Sequence, residues 1–381
     1  MELSFLSNLA QEASASRTPA WGQFELTPIC NLRCRMCYVH KPEEDRRIFG
    51  RLLPASFWLD TARQAAEAGM LVLSLTGGET LTYPYLDELM EGLSQLGLLI
   101  SFNTNGTLVD EKRAEWFRRF PPTKINISLY GASDETYGKL TGMADGFTRV
   151  TRGVALLQQA GLNVYLNAVL VPENIQELPR MHRWAAEHGL VLHSSAYIFP
   201  ARGCAGCGEQ THRLSPQLAA EAACFDKRIA LGKDGFRQSA ANTAFLLDRM
   251  AEAERWEPEK LECRAGTCSF AVAWDGHLQP CVLFDAIRIP LTQVPFAQGW
   301  HQLVDRVAAV PVPGPCADCR KKEICPVCKA AVYQETAGHT QPPAYLCAYS
   351  SHMASLLRRE GQGVAVTLQN RRDFHSGGCS G

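Results

Sequence analysis

Between Phe24 and about Phe199, short apolar runs alternate with stretches in which apolar residues return every three or four positions. The runs Gln23–Thr27, Leu71–Thr76, Leu98–Asn103, Lys124–Tyr130, Asn163–Val171 and Leu190–Phe199 are rich in branched residues and bounded by Gly, Pro or Asn. They predict six strands. Pro54–Ala68, Phe147–Ala160 and Ile175–His188 have helical periodicity, and each halts at a glycine (Gly69, Gly161, Gly189) suited to a helix C-terminus. Strand–helix alternation predicts an α/β fold with a parallel sheet, and six units suit an open (β/α)6 partial TIM barrel. Chemistry in such barrels sits at the C-terminal ends of the strands. The predicted organisation is an N-terminal extension (1–20), the barrel (21–214), a helical connector (215–260), a small cysteine-rich domain with few regular elements (261–350) and a C-terminal segment (351–381). Ala344–Arg359 reads as a closing helix, and 361–381 as a disordered polar tail.

The 381 residues are 46% hydrophobic, enough for one large domain and a smaller one. A formal net charge of −1 gives no overall field for nucleic acid or an anionic membrane. No window approaches the ~18 apolar residues of a membrane span. Met1–Pro19 is mixed and polar, without a secretion signal. A cytoplasmic protein with no nucleic-acid or membrane partner is expected. Fifteen cysteines in such a chain argue for metal or cluster ligation over a disulfide framework.

Cys30, Cys34 and Cys37 follow the first strand with the spacing C-x3-C-x2-C. A closed zinc site takes four ligands, and so does an ordinary ferredoxin cubane. Three thiols suit three corners of a cubane and leave the fourth iron open to another ligand. Gly77-Gly78-Glu79 closes the second strand, where glycine permits close backbone approach to a ligand. Alternation turns Asn126 and Ser128 to one face of the fourth strand, taken as the barrel interior. Asn103 ends the third strand. The Asn105-Gly106 pair is explained by turn chemistry alone, and Asn167 is a weaker candidate.

This set resembles the radical S-adenosylmethionine (SAM) superfamily, whose members bind the amino and carboxylate groups of SAM on the open iron. The resemblance implies that Cys30, Cys34 and Cys37 hold the catalytic [4Fe–4S] cluster and that Gly77, Gly78 and Glu79 hold the methionine ammonium. It further implies that Met36 and Tyr38, beside Cys37, lie along SAM, and that Asn103, Asn126 and Ser128 meet its polar groups. Met36 stands where the family often has an aromatic against the adenine, and Leu140 where some relatives have an arginine.

Eight further cysteines follow: Cys263-x4-Cys268-x12-Cys281, then Cys316-x2-Cys319-x5-Cys325-x2-Cys328-x18-Cys347, with Gly276 five residues before Cys281. This resembles the SPASM extension of radical SAM enzymes that modify peptides and proteins, apart from two rather than three residues between Cys325 and Cys328. The resemblance implies two auxiliary [4Fe–4S] clusters, hence three in all. Cys263, Cys268, Cys281 and Cys328 would hold the first, and Cys316, Cys319, Cys325 and Cys347 the second. The alternative is one zinc ribbon on Cys316, Cys319, Cys325 and Cys328, which orphans the remaining four. Of the other cysteines, Cys204 and Cys207 read as part of a flexible Gly-rich loop in preference to a redox pair or a substrate-handling thiol near the barrel mouth, Cys224 as core packing, and Cys379 as part of the tail. His182 and His188 are expected on a solvated helix face.

The implied activity is reductive cleavage of SAM to a 5′-deoxyadenosyl radical and oxidative modification of a peptide or protein, such as a crosslink in a ribosomal peptide. A flavodoxin- or ferredoxin-type electron donor is implied, and a leader-recognition module is expected, if present, as a separate protein. A haem-precursor enzyme shares the architecture. A formylglycine maturase is less suited, since Val282 stands where those relatives carry an aspartate. A non-enzymatic electron carrier fits neither the open triplet nor Gly77-Gly78-Glu79.

Overall fold

A computed structural model describes residues 2–39, 52–252 and 263–367. The end of the expected connector (253–260) and most of the expected tail, with Cys379, lie outside the described residues. The elements in chain order are α1 (Glu2–Ser16), β1 (Trp21–Glu25), α2 (Ala55–Glu67), β2 (Val72–Thr76), α3 (Leu86–Leu93), β3 (Leu99–Thr104), α4 (Glu111–Arg119), β4 (Lys124–Ser128), α5 (Asp134–Thr141) and α6 (Gly146–Gln159). There follow β5 (Val164–Val169), α7 (Leu178–Glu187), β6 (Leu192–Ser195), α8 (Pro216–Glu252), β7 (Ser269–Val272), β8 (His277–Gln279), β9 (Ile289–Pro290), α9 (Phe296–Ala309), α10 (Gly314–Ala317), α11 (Lys329–Thr336) and α12 (Ala344–Gly361).

All six expected strands form and pair in parallel, in the order β6-β5-β4-β3-β2-β1. Gly69, Gly161 and Gly189 take positive φ at the helix ends where they were expected. The strands have two unlike faces. Phe24, Leu73, Leu75, Phe102, Ile125, Ile127 and Leu166 are fully buried and join one core with Trp58, Leu89, Phe117 and Leu157 of the covering helices. The alternate positions, among them Ser74, Ser101, Asn103, Asn126 and Ser128, are polar. Period-two alternation therefore sends the apolar set to the helices and leaves a polar interior. A fully packed TIM barrel fills that space with branched side chains. This one keeps it for polar contacts.

The expected boundary near residue 261 is not an edge of the sheet. β7 pairs in parallel with β1, Trp21 opposite Ser269, and antiparallel β8 and β9 extend the sheet to nine strands. A six-stranded open barrel leaves the β1 backbone unpaired on one side, and β7 satisfies it. The cysteine-rich region is also more regular than expected. The apolar face of α9, with Phe296, Trp300, Leu303 and Val307, is buried, and Phe270 of β7 meets the Phe296 ring at 4.9 Å.

The connector is helical as expected, with a kink at Gly232 inside α8. It packs on the closing helix, where Cys224 is buried with its sulfur 3.5 Å from that of Met353. His188 is exposed, but His182 departs from expectation. Its Nε2 lies 2.6 Å from Asp226 of α8, and its side chain is only 12% exposed. Helix periodicity placed it on the outer face, and α8 covers that face. Among the described residues, no helix is long and apolar enough to cross a membrane.

Candidate active site

The loop after β1 carries Cys30, Cys34 and Cys37, and neighbours at the same rim fix its path. Arg33 and Arg35 N–H groups donate to the carbonyls of Thr141 and Leu140 at the end of α5, at 2.8 and 3.1 Å. From the other side, the N–H of Gly78 donates to Thr27 O at 2.6 Å and that of Glu79 to Ile29 O at 2.8 Å. A Cβ on Gly77 would lie 2.4 Å from Thr27 O, and one on Gly78 2.3 Å from Ile29 O. The two glycines are thus required by contact with the cysteine loop itself, a closer constraint than the ligand approach expected from sequence.

Glu79 has internal partners as well. Its side chain is buried, and its carboxylate accepts from Leu81 N (3.0 Å), Thr104 Oγ1 (2.7 Å) and Asn105 N (2.7 Å). Three of its roughly four acceptor sites are taken within the turn. It ties the ends of β2 and β3 together.

The three thiols influence one another. Burial, then the neighbouring Cys37 and Cys30 sulfurs, hold the Cys34 thiol far above its ordinary range. Burial pushes Cys30 up to about 11, eased by a 3.4 Å bond from Leu32 N. Asn105 Nδ2 reaches the same sulfur at 3.8 Å and Asn31 Oδ1 at 2.8 Å. Three mutually interacting thiols on one loop, Cys30 exposed and Cys34 and Cys37 half-buried, suit shared ligation, since a bound iron cluster would offset their repulsion. The site therefore fits a cluster. Asn105, read from sequence as a turn former, is one of its supports. Its place at the end of the strand beside Gly77-Gly78 was the available signal.

A polar row crosses the interior next to this rim. Asn126 Nδ2 donates to Asn103 Oδ1 at 2.7 Å, while Asn103 Nδ2 and Ser101 Oγ both donate to Ser74 Oγ at 3.1 Å. Ser128 continues the face, opposite Asn167 of β5. Met36 is buried with Leu140, Val171 and Ile198. The Leu140 side chain thus completes an apolar wall. The Tyr38 ring lies beneath the Arg202 guanidinium at 5.4 Å, and Arg202 also donates to Glu25 at 2.6 Å inside the barrel. Burial raises both the Tyr38 phenol and the Glu25 carboxyl.

In the cysteine-rich region, Cys316, Cys319, Cys325 and Cys347 line one cavity. Burial and then the Cys347, Cys325 and Cys319 sulfurs push the Cys316 thiol up to about 11. Cys281 is raised by burial and by Cys328 and Cys263, which gathers those three. Cys328 caps α11, its sulfur accepting from Ala331 N at 3.4 Å. Cys268 is fully buried with Ala13 and Ala20 and accepts from Ser14 Oγ at 3.1 Å. Among the described residues, no three Cys, His, Asp or Glu side chains converge as ligands of a single metal ion. Cys204 and Cys207, expected as a plain loop, are joined by a disulfide.

A partial parallel barrel carries a thiol triplet after β1 and a Gly-Gly-Glu turn after β2, both at one rim. Residues 24–185 match the model of the Radical SAM superfamily. Over 361 residues, 88% of this chain and 97% of the relative, it is 26% identical to the AdoMet-dependent heme synthase of Methanosarcina barkeri. It is 31% identical to the PqqA peptide cyclase of Gluconobacter oxydans over 165 residues, 43% of this chain and 45% of that one. Its fold matches Streptococcus suis SuiB bound to the precursor peptide SuiA, with a TM-score of 0.65 and 16% identity, covering 87% of this chain and 76% of SuiB. The expected fold class, a partial barrel followed by a cysteine-rich region, is the observed one.

Proposed function

We propose that Cys30, Cys34 and Cys37 bind a [4Fe–4S] cluster with SAM on its open iron, and that the enzyme oxidatively modifies a peptide or protein. The observation that carries this reading is the seating of the three-thiol loop on the Gly77-Gly78 backbone at the barrel rim. When bound, the cluster and SAM supply one-electron cleavage to methionine and a 5′-deoxyadenosyl radical able to take hydrogen from an unactivated C–H bond. The chain's own residues position and shield. The Gly77–Glu79 turn fixes the thiol loop, Asn103, Asn126 and Ser128 offer polar partners to the ribose, and Met36 with Leu140 keeps water from the adenine side. Cys316, Cys319, Cys325 and Cys347 would hold one auxiliary cluster, and Cys263, Cys281 and Cys328, with Cys268, another. The electron donor is a flavodoxin- or ferredoxin-type protein.

A peptide substrate is supported by the fold shared with SuiB, whose structure holds its precursor peptide, and by the likeness to PqqA peptide cyclase. A second reading, a tetrapyrrole substrate, is favoured by the likeness to the Methanosarcina protein over most of both chains. The test is anaerobic incubation of reduced holoenzyme and SAM with either a deuterated small cysteine-rich peptide encoded beside the gene or a deuterated haem precursor. Label passing from the peptide into 5′-deoxyadenosine, with a change in peptide mass, is the expected result. Label passing only from the tetrapyrrole would replace the first reading with the second. No 5′-deoxyadenosine above a control lacking reductant would refute both.

A further inference from the structure

The loop after β6 holds the two halves of the molecule together, and its disulfide lies at the centre of that joint. On one side is the radical site. The Arg202 N–H donates to Tyr38 O at 3.3 Å, its guanidinium donates to Glu25 at 2.6 Å, and Tyr38 directly follows Cys37. On the other side is the cysteine-rich region. Gly203 N–H donates to Asp285 Oδ2 at 3.0 Å, and Gly206 N–H donates to Gln334 O at 2.7 Å. Gln334 Nε2 in turn donates to Asp285 Oδ1 at 2.9 Å. Asp285 stands four residues after Cys281, and Gln334 lies in the helix that Cys328 caps. Both glycines take positive φ, so the chain reverses tightly between its two grips. The Cys204–Cys207 bond closes that reversal, and both cysteines are partly exposed.

We propose that Cys204 and Cys207 form a reversible dithiol–disulfide site whose closed form latches the radical site to the auxiliary-cluster region. Its reaction partner is a dithiol reductant, either a small molecule or a protein of the thioredoxin class. One partner thiolate attacks a sulfur of the pair and forms a mixed disulfide, and the partner's second thiol resolves it. Two electrons and two protons pass to Cys204 and Cys207, and the partner leaves as its own disulfide. Partial exposure admits the attacking thiolate, and a reducing compartment supplies it. Opening the bond leaves Gly203 and Gly206 each held by one N–H bond, to the Asp285 carboxylate and to Gln334 O. The inference rests on this joint and not on the choice between peptide and tetrapyrrole.

The test uses anaerobic holoenzyme equilibrated with oxidised or reduced dithiothreitol, followed by alkylation mass spectrometry and amide hydrogen exchange. Reduction should add two alkylations, at Cys204 and Cys207, with cluster absorbance unchanged. Amide exchange at Gly203 and Gly206 should rise about tenfold or more, as local opening becomes easier. The C204S/C207S double variant, which needs no reductant, should show the same fast exchange. Slow exchange in that variant, or a pair that stays unalkylated after reduction with clusters intact, would overturn the proposal.

Discussion

The two thiol-bearing regions are built by opposite means. In the barrel, three cysteines fall within eight residues on one loop, and backbone contacts to Gly78, Glu79, Leu140 and Thr141 set its shape. In the C-terminal region, eight cysteines are spread from Cys263 to Cys347 over turns, a strand end and helix termini. There the sulfurs are the common element of otherwise separate segments. On the proposed ligation, binding of clusters and folding are coupled far more strongly in the second region than in the first.

The largest test of this contrast is to replace Cys30, Cys34 and Cys37 with Ala. SAM cleavage should fall to the level seen without reductant, while about eight irons per chain remain, at four per cubane. Iron near zero would mean that the two regions do not load separately. Next, Cys281→Ala should lower product formation by at least about 10–100-fold, the loss that follows removal of even an outer partner of a metal ligand, while SAM cleavage without substrate persists. It should also lower protection of 263–347 in hydrogen exchange and leave the barrel strands protected. Trp58→Ala removes a fully buried ring at 5.1 Å from Phe24 and should cost about 3–5 kcal/mol in denaturant unfolding. If the barrel core is independent of iron, that cost is equal with and without chelator. The smallest expected effect belongs to Gly78→Ala. Its Cβ must push the cysteine loop away at Ile29 O, costing about 1–3 kcal/mol, with slower SAM cleavage but retained iron. Unchanged cleavage would show that the shelf does not position the loop.

Much of this was legible because it is local. Strand alternation, helix-stopping glycines and the C-x3-C-x2-C spacing each depend on neighbours within a few residues. The parts that escaped depend on distant partners. Glu79 lies where the motif puts it, but whether its carboxylate is free depends on Thr104 and Asn105 across the turn. Asn105 had a sufficient local explanation, which concealed its reach to Cys30. His182 sat on an outer helix face until Asp226 of a later helix covered it. The pairing of β7 with β1 had no local trace either, since Ser269–Val272 is short and hidden among cysteines.

That last pairing bears on how the protein is made and cut. β1 is among the first strands synthesised, yet one of its two hydrogen-bonding flanks stays bare until a partner from much later in translation arrives. Such distant ladders form slowly, and a bare flank in the interval is a template for other chains. Excising residues 21–214 as an autonomous barrel would make that interval permanent. The expected product is a sticky, self-associating fragment, and a soluble truncation must retain the strand at 269–272.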